Sequence, residues 1–491
     1  MPILGDYSFI LYFCLQKYST MIIGRNKEQQ ELRDAYHSDE SKFVAVYGRR
    51  RVGKTYLVRQ TFKDSLTFSH SGQAKGSLAE QLFGWKSSLK DAGFSEAATP
   101  SSWLEAFDML KDLIRKSQEK KKVVFIDEMP WLDTPRSNFV NALEFFWNGW
   151  ASGRDDVLLI VCGSATSWIV NKLFRNHGGL HNRVTNRIYL QPFTLHECEM
   201  YMQQRGISLT RYDIIECYMI LGGIPFYWSF IEKGKSLSQN IDSLVFAEDG
   251  KLRYEFSELY NSLFRNPENY IKVVLALGQC HSGLTREEII KKCGMPSSGT
   301  LTTVIEDLEN CGFIRKVATY GRKSQLSYML IDNFTLFYLK FIKKNSENDE
   351  FFWSHSYQSP IRRAWIGIAF ERVCFQHLRQ IKDALGIGGV VSTVYSLNIA
   401  PTEEQRGAQI DMIIDRADNM VNICEMKYSS GEYVITKDDA MSMANKVSRL
   451  MEVTRMRKSV VVTMVSVYGI AHTGYWNTVQ NEVTAESLFK E

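Results

Sequence analysis

The chain has 491 residues, 44% of them hydrophobic and 23% charged, which excludes a disordered chain and points to a soluble, folded protein of roughly three domains. The formal net charge of +4 is close to balanced, so any nucleic-acid surface must come from a local patch. Nine scattered cysteines without a C-x-x-C pair exclude a disulfide framework and fit a reducing, cytoplasmic setting.

The start, "MPILGDYSFILYFCLQKYST", is a short apolar run with no basic flank and no small-residue cleavage site. It predicts neither a membrane anchor nor a signal peptide, and residues 1–20 read as an extension. A second methionine, Met21, opens "MIIGRNKEQQEL", where the first domain begins. "HGGLH", with His177 and His181, has a four-residue spacing but glycines between and no further ligands nearby, and reads as a loop without metal.

"FVAVYGRRRVGKTYLVRQTF" begins as an apolar strand, breaks at Gly48 and resumes as a helix after Gly53. The stretch Gly48, Arg49, Arg50, Arg51, Val52, Gly53, Lys54, Thr55 fits G-x-x-x-x-G-K-[ST] throughout. Backbone N–H groups at a helix N-terminus can wrap phosphates only where glycine keeps side chains out of the way. Lys54 is placed for the β- and γ-phosphates of ATP or GTP, and the Thr55 hydroxyl for Mg²⁺. In "KKVVFIDEMPW", Val123 to Ile126 predict a buried parallel strand, with Asp127 at its carboxyl end as a second Mg²⁺ ligand. Glu128 follows as the residue that polarises the attacking water. After a further apolar strand in "VLLIVCGSATSW", Ser164 is a candidate γ-phosphate sensor, though a helix cap explains it equally. Arg183 and Arg187, in "HNRVTNRIYLQPF", are candidates to stabilise transition-state charge, either within the chain or across the boundary of a homo-oligomer.

"IIGRNKEQQEL", "YGRRRVGKT", "FIDEMPW", "VCGSATSW" and "LGGIPFYW" follow in the order seen in the archaeal-type ATPase family, which this segment resembles over about residues 21–265. That family is AAA+-like and related to the STAND signalling NTPases. The resemblance implies an α/β chain with a P-loop αβα core at 21–191 and a helical lid at 192–265. It also favours adenine, since no N/T-K-x-D guanine motif follows the core.

From Asn269 the pattern changes to three helical stretches and a hairpin, predicting a winged helix-turn-helix at 266–345. Thr285 is read as the N-cap of a helix opening at Arg286. The recognition helix would begin with Ser297, Ser298, Thr300, Thr302 and Thr303, and the wing would offer Arg315, Lys316, Arg322 and Lys323 to the phosphates of double-stranded DNA. The acidic Glu306 and Glu309 on that helix keep a purely intramolecular packing role open.

"AQIDMIIDRADNMVNICEMKYS" predicts a hairpin centred near Asp418, which sets Asp411 opposite Glu425 with Lys427 on the same face. Two carboxylates and a lysine on one sheet face suit a Mg²⁺ site acting on a phosphodiester. The order helix with Glu371, three strands, helix, strand at 355–491 resembles the PD-(D/E)xK, or restriction-endonuclease-like, α/β fold. The resemblance implies catalytic roles for Glu371, Asp411, Glu425 and Lys427, with Asp411 and Glu425 as metal ligands and Gln409 shaping the site. Two readings follow: an ATP-gated DNA nuclease, or a STAND-like ATPase switch whose nuclease-like domain only docks.

Overall fold

The structure, a computed structural model, describes residues 22–175, 179–180, 182–264, 266–280, 283–320, 326–345, 348–403 and 405–491. The N-terminal extension with Met21, His177 and His181, and Arg322 and Lys323, lie outside the described residues. The chain divides into two units, with the boundary between Pro192 and Phe193.

The first unit is a five-stranded sheet in the order β2-β3-β4-β1-β5, with every neighbouring pair parallel. Its strands are β1 (Lys42–Tyr47), β2 (Leu66–Ser71), β3 (Lys122–Asp127), β4 (Val157–Gly163) and β5 (Asn186–Tyr189). Helix α1 (Asn26–His37) precedes β1, and α2 (Lys54–Thr61) leaves it through the phosphate-loop motif. Strand β4 is buried along its whole length, and β3 is buried from its second residue on. Such two-sided burial explains why these strands read as continuous apolar runs without alternation. Helices α3 (Leu78–Asp91), α4 (Trp103–Lys116) and α5 (Phe139–Gly149) join Phe68 in one aromatic core. Trp85 lies at its centre, edge-on to Trp103 and Phe107, with its indole N–H donating to the carbonyl of Ala106 at 3.0 Å.

In the second unit, α6 (Leu195–Gln204) and α7 (Arg211–Leu221) both start on Thr capping boxes. Shorter helical segments at Pro225–Trp228, Leu237–Ile241 and Glu255–Leu263 follow, and then α8 (Pro267–Leu277), β6 (Leu284–Thr285), α9 (Arg286–Cys293), α10 (Gly299–Asn310), β7 (Ile314–Thr319) and β8 (Leu326–Leu330). Thr285 caps α9 through a capping box with Glu288. After α11 (Asn333–Phe337), the 17-residue α12 (Pro360–Gln376) leads to β9 (Ser392–Ile399), β10 (Ala408–Arg416) and β11 (Met420–Lys427). The chain ends with α13 (Lys437–Thr454), β12 (Ser459–Ser466), β13 (Asn481–Thr484) and a last helical turn.

The two sheet-forming segments expected to be separate share one eight-stranded sheet, in the order β13-β12-β11-β10-β9-β7-β8-β6. The junction is short: β7 pairs with β9 in parallel through Ala318 opposite Tyr395 and Thr319 opposite Ser396. The exposed edge of a hairpin is a ready template for another strand. Here β9 covers it.

One buried polar link holds α12 to the start of α6. His377, 1% exposed, donates from Nδ1 to the carbonyl of Val373 at 2.8 Å, and its Nε2 accepts the N–H of Leu195 at 3.0 Å. Only the neutral ring can do both. Burial pushes its pKa down from 6.5 to about 4, against a smaller opposing pull from Val373. A depressed folded-state pKa means that the stabilisation is complete above about pH 6.5 and is lost as pH falls toward about 4. Urea titrations are expected to show the second unit losing up to about 3 kcal/mol across that window. In His377→Gln that pH-dependent loss should shrink.

Candidate functional site

Strand β1 runs into Gly48, whose φ of 140° and close neighbour both demand glycine: a Cβ there would lie 2.4 Å from the carbonyl oxygen of Leu190. The loop then turns through left-handed Arg51 (φ 70°) and Gly53 (φ 94°), and α2 begins at Lys54. No atom lies within 4 Å of where a Cβ on Gly53 would stand, so the loop opens to solvent there. Arg49 and Val52 are buried, while Arg50 and Arg51 are partly exposed.

Lys54 is 5% exposed. Its ammonium donates to the carbonyls of Gly48 (3.0 Å) and Arg49 (2.8 Å) and to the hydroxyl of Ser164 (3.3 Å). All three are neutral oxygens, and among the described residues no carboxylate forms an ion pair with it. A buried cation held only by neutral groups is a preformed anion site, because a phosphate would add the Coulomb attraction now missing. Beside it, the Thr55 hydroxyl donates to Asp127 Oδ2 at 2.7 Å. Burial, reinforced by the charge of Glu128, raises the Asp127 carboxyl above its ordinary range, with the Thr55 hydrogen bond opposing. A hydroxyl and a desolvated carboxylate in contact form a hard-oxygen pair that a divalent cation would suit.

Glu128 follows in the left-handed conformation (φ 46°). Its carboxylate accepts from the hydroxyl of Ser164 at 2.6 Å and from the Ser164 N–H at 3.3 Å. The sequence-predicted residues Lys54, Thr55, Asp127, Glu128 and Ser164 thus form one connected network at the carboxyl ends of β1, β3 and β4. The arginines do not join it. Arg183 is exposed, with its backbone N–H closing a turn on Leu180, and Arg187 lies exposed over the ring of Phe174 at 4.4 Å.

A second charged cluster forms on β10, β11 and α12. Met412 pairs with Cys424 and Ile413 with Ile423, which is the register that a turn centred at Asp418 demands and that sets Asp411 toward Glu425. Gln409 donates to Asp411 at 2.7 Å. Lys427 contacts Glu425 at 3.1 Å, and Lys446 of α13, which sequence reasoning did not single out, contacts the other Glu425 oxygen at 2.7 Å. Burial acts to raise the Glu425 carboxyl, but Lys446 and Lys427 outweigh it and hold it below its ordinary value. Glu371, from α12, is pushed up to about 8 by burial and then by the charges of Asp411 and Glu425. Glu371 therefore feels the charges of both Asp411 and Glu425, an excess of negative charge that a cation would relieve. Among the described residues, however, no three His, Cys, Asp or Glu side chains are gathered closely enough to hold a metal ion as they stand.

The cations that the sequence assigned to a wing are partly engaged within the protein. Lys316 pairs with Glu309 of α10 at 2.6 Å, and Arg315 packs over the ring of Phe375 at 5.8 Å. At the start of α10, Arg286 donates to the hydroxyl of Thr302 at 2.9 Å. Among the described residues no helix is long and apolar enough to cross a membrane.

Residues 22–229 match the family described as an ATPase domain predominantly from Archaea. The chain is 24% identical over 366 residues to the uncharacterized protein MJECL04 of Methanocaldococcus jannaschii, covering 74% of this chain and 78% of that one. Among solved structures, the Walker-type ATPase PABY2304 of Pyrococcus abyssi is similar with a TM-score of 0.49 and 17% identity, over 65% of this chain and 96% of that one. The ORC2 protein of Aeropyrum pernix, solved as ADPNP-ADP complexes, is similar with a TM-score of 0.43 and 13% identity, over 66% and 94%. Residues 22–229 thus match an archaeal-type ATPase domain, and the phosphate-loop network lies within that matched segment.

The two loop glycines should separate by mechanism. Gly48→Ala forces a Cβ into the Leu190 carbonyl, whereas Gly53→Ala adds only backbone strain of about 1 kcal/mol. Titration with a fluorescent ATP analogue is expected to show Gly48→Ala losing binding altogether and Gly53→Ala retaining weakened binding.

Proposed function

We propose that the chain is an ATPase whose nucleotide state governs a metal-dependent nuclease site in its C-terminal segment, acting on double-stranded DNA. At the first site Lys54 would leave the carbonyls of Gly48 and Arg49 for the β- and γ-phosphates, and the loop N–H groups would close around them. Thr55 and Asp127 are the residues that would hold Mg²⁺. Glu128 must release Ser164 before it can orient a water, and the freed Ser164 hydroxyl is then available to the γ-phosphate.

The observation that carries the nuclease reading is the hairpin register that sets Asp411 toward Glu425, with Lys427 and Lys446 on Glu425 and Glu371 near enough to feel both acidic charges. Asp411 and Glu425 would hold the cation there. When bound, a divalent cation at either site neutralises phosphoryl oxygens and eases attack by water. Burial works against the Lys427 charge, but Glu425, with Tyr433 and Asp439, outweighs it and raises the ammonium above its ordinary value. Lys427 therefore acts as a charged donor that positions the water or the phosphodiester, not as the base that takes the proton. In hydrolysis the water oxygen bonds to phosphorus, one P–O ester bond breaks, and the leaving oxygen gains a proton. The order α8, α9, α10, β7, β8 supports a winged helix beside this site as the DNA-holding element.

A second reading has its own support. Lys316 and Arg315 are engaged internally, and Glu425 is already neutralised by two lysines. Both facts favour an ATP-driven switch in which the C-terminal segment binds or docks without cutting.

Plasmid and linear DNA incubated with Mg²⁺ or Mn²⁺, with and without ATP, distinguishes the two. Cleavage is expected from the wild type, to fall at least about 100-fold in Glu425→Ala and to lose its ATP dependence in Lys54→Ala. ATP turnover by the wild type without any cleavage would leave the switch.

A further inference from the structure

A cavity of about 530 Å³ in the second unit is lined by residues of neither cluster. Its apolar wall is Leu275 of α8, Leu336 of α11, Leu339 of the π-turn Tyr338–Ile342, and Trp365 of α12. Its charged lining is Lys340, Lys343, Lys344 and Arg372, with no acidic side chain among the lining residues. None of these four cations forms an ion pair among the described residues. The three lysines are exposed at the rim, whereas Arg372 is only 7% exposed and its Nε is buried without a hydrogen-bond partner.

A buried guanidinium with an unmet donor costs free energy that an anion would recover. Burial pushes Arg372 down to about 10, and only the neighbouring Glu371 pulls back. Helix α12 could have carried an apolar residue here, as it does at Trp365, Ala369 and Phe370 on its buried side. The size falls within the range of small-ligand pockets, roughly 300–1,000 Å³, and the mixture of apolar wall and convergent polar groups is typical of them. Lys340 lies within the π-turn and Lys343 and Lys344 follow directly on it, a local irregularity often found where helices build sites.

We propose that this cavity binds a small, multiply charged anion with a flat apolar body, of the nucleoside phosphate class, separately from the phosphate loop. The apolar wall with Trp365 takes the ring, Arg372 takes a phosphate at the floor, and Lys340, Lys343 and Lys344 take charge at the mouth. Arg372 adjoins Glu371 on α12, so occupancy would bear on the orientation of the carboxylate cluster.

Isothermal titration of the full chain carrying Lys54→Ala, which disables the first site, tests this with four probes: adenosine, adenosine 5′-monophosphate, guanosine 3′,5′-bisphosphate and a short duplex DNA. At least one nucleotide is expected to bind and uncharged adenosine not to. Adding Arg372→Gln should weaken that binding about tenfold or more. The surface pair Lys340→Glu with Lys343→Glu should do the same without touching the core, and decides the matter if Arg372→Gln fails to fold. Failure of both nucleotides to bind, nucleotide binding that survives the charge reversals, or binding of the duplex alone would overturn the proposal.

Discussion

A buried ammonium that finds only neutral oxygens is the interaction around which the first unit is arranged. Lys54 can sit at the mouth of α2 only because Gly48 lets the chain pass against the Leu190 carbonyl and because Arg51 and Gly53 accept left-handed geometry. Those turns depend in turn on β1 lying between β4 and β5, which brings Ser164 and Leu190 to its carboxyl end. The same end of the sheet receives Asp127 and Glu128 from β3. The network is therefore a consequence of strand order, with the Thr55–Asp127 and Ser164–Glu128 bonds holding the acidic groups in place.

The second unit presents the opposite imbalance in one place and the same imbalance in another. Around β10 and β11 Glu371 feels the charges of Asp411 and Glu425, and two lysines answer only Glu425. On α12 the next residue, Arg372, carries a buried positive charge toward a cavity lined by lysines. One helix thus divides an acidic face from a basic one. Folding leaves groups under-compensated at a cost, and such places are where ligands are recognised.

Much of the first site was legible because its chemistry is local. A glycine loop between an apolar strand and a helix, and an aspartate at the end of a buried strand, can be read without knowing which strands are neighbours. The hairpin was legible for a similar reason: a turn at Asp418 sets the pairing of Met412 with Cys424 and so the position of Asp411 relative to Glu425. What sequence did not disclose depends on long-range packing. Lys446 lies on a helix 21 residues after Glu425 and reads as an ordinary surface charge until that helix packs on the sheet. The pairing of β7 with β9 rests on only two residue pairs, with nothing in either strand to announce it. Ser164 was read as a sensor or a cap; its bond to Glu128 adds a third role that requires the two strand ends to be neighbours.

The most direct test is single-turnover ATP hydrolysis by the wild type and by Glu128→Gln, with bound nucleotide quantified alongside. If Glu128 orients the attacking water, the variant should bind ATP as tightly as the wild type and cleave it at least about 100-fold more slowly. Equal rates in the two proteins, or a wild type that binds ATP and never cleaves it, would contradict the account.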